Sequence, residues 1–513
     1  MTELLKKTSD AHVASVAPAS AAIHMLPTAP SNTGVVNRQD RFPQNLTRKL
    51  NISLGQNGTA YAVTSGSDNS YALPVGSRQL NNVIRQLAQN EEVKLRKADI
   101  GDINSSLQAQ AEMSGVTREV WNRVAPILAG IEIDLGDEGH TRVRVTAGKV
   151  DIISQGSDTV FYRTAVTQPF VMPAEVGNIE LLKKYVNADA VAATLLTAWM
   201  SFTLAHPKVS TTNYVILVLQ GNEGSGKSAL SKNVIQPLID PCLVGVQMLP
   251  ASERDLAVIA QNAHLLCFDN VREFKRSVAD ILCVASTGGA ISSRQLFSDA
   301  DQHVLHLHVA MVLNGIHSFI DQPDLAQRCL PIQLRPISKE KRKLEAELVR
   351  EFQADAPAIF RGLLDLIAKV FIHLPTAKAT SPERMMDFVL WLAAMEKAAG
   401  IPAGIYQAAY SEALNQGQRD SLQENTLASA VVEFAEHIDD FWTGTPSELL
   451  AKLNKSLSAG MQRSRDWPQN AIALSKRLVP LQASLQSQGI KLELHRGKHR
   501  KITITTERNS NEY

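Results

Sequence analysis

The chain has 513 residues, 44% of them apolar, which is enough for several cores and too long for a single compact domain. Its formal net charge of +1 excludes an overall pull toward nucleic acid or an anionic membrane, so any basic surface must be local. Four scattered cysteines (Cys242, Cys267, Cys283, Cys329) lack metal-ligand or CxxC spacing and fit buried thiols of a reducing compartment. The N-terminus shows no charged-then-apolar signal pattern, and no apolar run nears the ~20 residues that span a bilayer. A cytoplasmic protein with no membrane partner is expected.

Residues 1–75 are rich in Ser, Thr, Asn, Ala and Gly without a sustained apolar period, and read as a disordered tail. A small α+β domain is expected over 76–189. In it, Leu80, Val83, Ile84 and Leu87 recur at three and four within a helical stretch from about residue 77 to 126. The runs GIEIDLG, HTRVRVT and KVDII follow, separated by turn residues, and read as a hairpin or meander. Arg142 and Arg144 alternate along the second run, which suits a solvated strand face better than a basic binding face.

Residues 190–337 carry the strongest signal. AVAATLLTAWMSFTLAHP reads as a buried helix, and YVILVLQ as a buried parallel strand. Directly after that strand, Gly221, Gly226, Lys227 and Ser228 fit G-x-x-x-x-G-K-[ST], and SALSKNVI continues as a helix. The glycines let backbone N–H groups turn toward phosphate oxygens. The expected ATP-binding set is Gly221, Asn222, Glu223, Gly224, Ser225, Gly226, Lys227, Ser228 and Ala229. Lys227 would reach the β and γ phosphates, and the Ser228 hydroxyl would ligate Mg²⁺. A neighbouring strand should end in an acid, and HLLCFDN supplies Asp269 as the second Mg²⁺ ligand. The next position, which in hydrolysing enzymes of this type carries another acid, is Asn270. Glu273 is a candidate to reach the site, or a solvent-facing residue. HVAMVLNGI ends in Asn314, a candidate γ-phosphate contact or an ordinary turn former. DLAQRCLPIQLR then offers Arg328, which is either a phosphate-directed finger or a surface ion pair.

Residues 338–440 read as a helical region, beginning with the charge-alternating KEKRKLEAELVREF. In the last segment, 441–513, GTPSELLAKLN reads as a helix capped by Thr445 or Ser447 with Glu448 in its first turn. Leu474, Leu478, Leu481 and Leu485 then form a helical stripe stopped at Gly489. KLELH and KITIT follow, joined by RGKHR. A helix followed by a hairpin with a basic turn looks like a winged helix. Lys476 and Arg477 on the helix, and Arg496, Lys498, Arg500 and Lys501 on the wing, are the expected DNA contacts.

Taken in order, GNEGSGKS, CFDN, ASTGGAISSRQLF, VLNGI and DLAQRCLPIQL resemble the ATPase module of superfamily 3 helicases, a branch of the AAA+ proteins. The likeness is to primase-helicase ATPases of phages, plasmids and integrated elements. It implies an α/β P-loop AAA+ core with a parallel sheet, preceded by the small α+β domain and followed by the helical region and winged helix. It gives Lys227, Asp269, Asn314 and Arg328 catalytic roles, with Arg328 serving a neighbouring subunit in a homo-oligomer, often a hexameric ring. It also implies a DNA-gripping hairpin over 290–308 that includes Arg294. The tip SDAD is acidic, and of the nearby histidines His306 and His308 would share a strand face. No primase site is evident, so priming would need a separate protein. Mobile-element replication or maintenance on DNA is the expected function; an ATP-responsive scaffold with little turnover is the alternative.

Overall fold

The computed structural model describes residues 42, 46, 50–63, 69–272, 275–294, 302–316, 319–320, 322–438, 440–464, 467–486, 488–495 and 500–506. It divides into two units, Met1–Phe170 with Ala205–Thr211, and Val171–Leu204 with Thr212–Tyr513.

The first unit opens with three antiparallel strands, β1 (Asn51–Gly55), β2 (Ala60–Val63) and β3 (Tyr71–Pro74). Helices α1 (Arg78–Asn90) and α2 (Lys97–Ser114) follow. Leu80, Ile84 and Ala88 on α1, and Ile103, Leu107 and Ala111 on α2, repeat at helical spacing and share one core with Ile52, Ala60 and Ala62. The first three strands correct the sequence reading, in which residues up to 75 were a tail. Their small residues lower the apolar signal, yet Ala60, Ala62 and Ala72 are buried. The helical stretch also stops sooner than expected, at Gly115, which takes a left-handed φ of 63°.

Seven short strands complete the unit: β4 (Thr117–Arg118), β5 (Val120–Trp121), β6 (Val124–Ile127), β7 (Gly130–Asp134), β8 (Arg142–Thr146), β9 (Lys149–Ile153) and β10 (Val160–Tyr162). Strand β10 pairs in parallel with β3 and β5, closing a sheet ordered β4-β1-β2-β3-β10-β5. Strands β6 to β9 form the expected antiparallel meander. Arg142 is not solvated: it is 1% exposed and donates to the carbonyls of Thr159 and Ser70. Glu132, also fully buried, accepts from Arg144 at 2.6 Å and from the Ser157 hydroxyl at 2.6 Å. The alternating arginines are therefore half of an internal charge network whose acids lie on β7. Ions buried this way need partners on every side.

In the second unit, α3 (Ala190–Ala205) precedes a sheet built from β11 (Ile216–Gln220), β12 (Val246–Gln247), β13 (Leu265–Phe268), β16 (Ala310–Gly315) and β17 (Cys329–Gln333). All pairings are parallel, in the order β12-β13-β16-β11-β17. Buried on both faces, β11, β13 and β16 read as continuous apolar runs. Three helical segments follow β11 without a break, Lys227–Leu230, Ser231–Ile235 (a π-turn) and Gln236–Ile239; together they are α4. Helices α5 (Glu253–Gln261) and α6 (Arg276–Thr287) flank β13 in sequence. Between α6 and β16, β14 (Gly289–Arg294) and β15 (Gln302–Leu307) pair as the expected hairpin. Its SDAD tip and the side chains of Arg294 and His303 lie outside the described residues.

Beyond the sheet come α7 (Glu345–His373), α8 (Met386–Ala399), α9 (Ile405–Glu424) and α10 (Thr426–Glu436). Trp391 on α8 donates to the Ser201 hydroxyl on α3 at 3.0 Å, tying these helices to the sheet layer. The long helix begins at Glu345, later than KEKRKLEAELVREF suggests. The last module runs α10, β18 (Phe441–Gly444), α11 (Pro446–Leu453), α12 (Ala471–Leu478), β19 (Ile490–His495) and β20 (Lys501–Thr506), with short helical turns at Ala459–Gln462 and Gln482–Gln486 between them and a sheet ordered β18-β20-β19. Leu427, Val431, Leu449, Leu474, Ile502 and Ile504 share its core, so α10 belongs with this module, while Leu422 of α9 reaches the same core. The stripe Leu474, Leu478, Leu481 and Leu485 is buried as expected, but Pro480 turns the helix into a 3-10 segment (Val479–Leu481).

The cap at Thr445 is a full capping box: its hydroxyl accepts from Glu448 N at 3.2 Å and Glu448 Oε2 accepts from Thr445 N at 2.6 Å. Thr445→Ala should therefore cost the module about 1 kcal/mol. Amide exchange over Pro446–Leu453 should speed up by about fivefold; unchanged protection would contradict the assignment.

Candidate functional site

The site lies where β11, β16 and β13 end. Leu219 pairs with Asn314 and Phe268 with Leu313, so Gly221, Asn314 and Asp269 leave the sheet side by side at its carboxyl edge. That edge is where open parallel sheets bind ligands.

The glycine-rich loop is shaped by three positive φ angles, at Gly221 (151°), Gly224 (74°) and Gly226 (87°). A Cβ on Gly221 would stand 2.8 Å from both the Leu334 carbonyl oxygen and Ser225 Oγ, so the first glycine has no room for a side chain. Asn187, ahead of α3, donates to the Ser225 carbonyl at 3.5 Å and to that of Arg335. Lys227 folds its ammonium back into the loop, donating to the carbonyls of Gly221 and Asn222. Burial pulls its pKa down, against the opposing pull of the Asp269 and Glu223 carboxylates. Glu223 and Ser228 are exposed, while Ala229 is half-buried in the first helical turn.

Ser228 and Asp269 meet directly, Oγ donating to Oδ2 at 2.6 Å. The other Asp269 oxygen accepts from Asn270 N at 2.9 Å. Asn270 itself has a φ of 53°, a left-handed turn that Asn tolerates better than Glu does. Glu273 lies outside the described residues.

Asn314 is fully buried, and its Oδ1 accepts from the Ser231 hydroxyl at 2.9 Å. Its Nδ2 is buried without a partner among the described residues. A buried donor left unmade costs ~1–3 kcal/mol, so the amide is suited to an acceptor brought by a ligand. Sequence reasoning missed Ser231: it sits in the π-turn of α4, and only the fold brings it to Asn314. It also missed Asp240, whose buried carboxylate accepts from the backbone N–H groups of His264 and Leu265 at 2.7 and 3.1 Å. Asp240 thereby joins the end of the loop helix to the start of the acid strand.

Arg328 is not part of this cluster. It precedes β17 at the opposite, amino edge of the sheet, separated by a five-residue strand, roughly 16 Å at ~3.3 Å per residue. It is 12% exposed and pairs with Asp324 at 3.5 Å, which Arg384 also holds. Although burial works against it, hydrogen bonding from Cys283 and the two arginines keep the Asp324 carboxyl below its usual range. Burial together with Asp324 pushes the Cys283 thiol up to about 12. The four cysteines are free, and only Cys242 is partly exposed.

His306 and His308 do not share a strand face as expected. Strand β15 ends at Leu307, and His308 turns to the Thr212 carbonyl at 3.0 Å and the Tyr214 ring. In the last module Lys476, Arg477, Arg500 and Lys501 are exposed, whereas Arg496 and Lys498 lie outside the described residues. Among the described residues no helix is long and apolar enough to cross a membrane, and no His/Cys/Asp/Glu group is arranged to hold a metal by itself.

Residues 179–420 match the family model of the actinomycete integrative conjugative element replication protein, and residues 427–512 match that of the AICE RepA C-terminal domain. Over both spans the chain is similar to a mobile-element replication protein. The gap between the matches falls just before α10, where the core of the last module begins. No curated protein matches the sequence. Among solved structures, the A-form apo structure of the NrS-1 C-terminal region has a TM-score of 0.38 at 11% identity, covering 91% of this chain and 98% of that one. A second apo structure of that region has a TM-score of 0.37 at 10% identity, with the same coverage.

Proposed function

We propose that this replication-protein relative is an ATPase of superfamily 3 type, with an AAA+ core and a C-terminal winged helix, acting on DNA as a homo-oligomer. The observation that carries the reading is the convergence of Lys227, Ser228, Asp269 and Asn314 at one edge of a parallel sheet. The strand holding Asn314 sits between the loop strand and the acid strand. Lys227 would give up its loop carbonyls to bind phosphate oxygens. Ser228 and Asp269, already in contact, fit as the residues that would hold Mg²⁺, which supplies charge neutralisation at the β and γ phosphates. The unpartnered Asn314 amide would donate to the γ-phosphate or the attacking water. Arg328, too far from its own loop, suits a nucleotide bound by another copy.

The order of helices and strands in the last module supports a winged helix, with α12 the recognition helix and β19–β20 the wing. Neutralising Arg496, Lys498, Arg500 and Lys501 should weaken DNA binding and flatten its salt dependence. The slope of log K against log salt should become shallower by about 0.9 for each phosphate that the wing no longer neutralises. Unchanged affinity at low salt would remove the wing as a DNA-binding element.

A second reading, an ATP-responsive scaffold with little turnover, is favoured by Asn270, which leaves the site without a second acid beside Asp269. Steady-state turnover of the purified chain, alone and with single-stranded or duplex DNA, separates the two. DNA-stimulated hydrolysis supports the motor. Tight ATP binding with negligible turnover on every DNA supports the scaffold.

A further inference from the structure

We propose that Arg342 is a second basic group of the glycine-rich loop, binding the terminal phosphate of a nucleotide held by its own chain. The proposal rests on the reading of that loop as an ATP site.

After β17 the chain crosses back over the loop. Leu334 N donates to the Gln220 carbonyl at 2.8 Å, and Arg335 N to that of Asn187 at 2.9 Å. Ile337 Cδ1 lies 3.3 Å from where a Cβ on Gly226 would stand. Arg342 Nη2 lies 3.0 Å from the same point on Gly224, and its Cζ 3.6 Å. The crossing is pinned at its far end by Glu345, which pairs with Lys232 of α4 at 3.1 Å and accepts from Asn233 at 3.3 Å. The guanidinium is thus held against the crown of the loop by anchors on both sides of it.

Arg342 is exposed, and among the described residues no carboxylate pairs with it. Its hydrogen bond is a long one, from Nε to the Ile337 carbonyl at 3.4 Å. Both terminal nitrogens remain available in a planar fork that matches phosphate oxygens. Lys227 on the same loop already feels the Asp269 and Glu223 carboxylates, and Arg342 adds a second cation against Gly224. Gly224 is glycine because of its φ of 74°, and the bare backbone there lets the guanidinium come close. Lys227 lies against the Gly221 and Asn222 carbonyls and Arg342 against Gly224, so together they would bracket the terminal phosphate. ADP, which lacks that group, would lose little without Arg342.

The test compares ATP and ADP affinities of the full chain with those of Arg342→Ala, Arg342→Lys and Lys227→Ala, in Mg²⁺. Arg342→Ala should bind ATP about tenfold to a hundredfold more weakly, the range expected when a charge-assisted hydrogen bond is removed, and ADP within about twofold. Arg342→Lys should recover only part of the loss, because an ammonium lacks the fork. Wild-type ATP affinity in Arg342→Ala, or equal weakening of ATP and ADP, would overturn the proposal while leaving the loop as a nucleotide site. No ATP binding by the native chain, with Lys227→Ala no different, would overturn the underlying reading and this proposal with it.

Discussion

Arg328→Ala should hydrolyse ATP about a thousandfold or more slowly than the native chain while binding it with unchanged affinity. The argument is one of position. Arg328 stands at the amino edge of the sheet and the glycine-rich loop at the carboxyl edge, with β17 between them. Its partners, Asp324 and through it Arg384 and Cys283, hold it on its own chain but far from its own loop. Any phosphate it stabilises must belong to a second copy. A mixing experiment makes this decisive: Arg328→Ala, which keeps its loop, combined with Lys227→Ala, which keeps its arginine, should regain a fraction of the lost turnover. Full activity in Arg328→Ala alone would remove the residue as a finger. Absence of recovery on mixing would remove the shared site.

Lys227→Ala should lose both binding and turnover. Its ammonium is satisfied by the Gly221 and Asn222 carbonyls and the Ser225 hydroxyl, so the side chain organises the loop as well as charging it. Removal of one preorganised electrostatic group from such a site typically costs 10²–10³ in rate, about 2.7–4 kcal/mol. Equilibrium binding of ATP together with single-turnover hydrolysis checks both halves. Retained tight binding in Lys227→Ala would count against the loop as the phosphate cradle.

What was legible in the sequence was chemistry with fixed spacing. The glycines and Lys227 could be read as one loop because G-x-x-x-x-G-K-[ST] fixes both residue type and interval, and the loop's three glycines take positive φ. Asp269 and Asn314 could be read because each ends a run that only a buried parallel strand explains. The capping box at Thr445 was equally local. Interactions made across the chain were not legible. Ser231 meets Asn314 over 83 positions, and no pattern marks a serine in a π-turn. Arg142 alternates like a surface residue, but its acid partners lie on a different strand. The early strands were hidden because they are only four or five residues long and Ala60, Ala62 and Ala72 hold core positions, so composition spoke for a tail. Asn270 stands where a second acid was expected, and its φ of 53° is one that Asn or Asp takes more readily than Glu.

The hairpin and the Asn314 strand are continuous. From Leu307 only His308 and Val309 intervene before β16, and both are fastened, His308 to Thr212 and Val309 to Ala285 at 2.9 Å. Strand β16 is clamped on both sides by β11 and β13 and ends at the loop. Held by hydrogen bonds on both sides, it seats Asn314 beside the loop at one end and sets the base of the hairpin at the other. The frame that fixes Asn314 is therefore the frame from which the hairpin starts, with Leu305 and Leu307 packed into the same core.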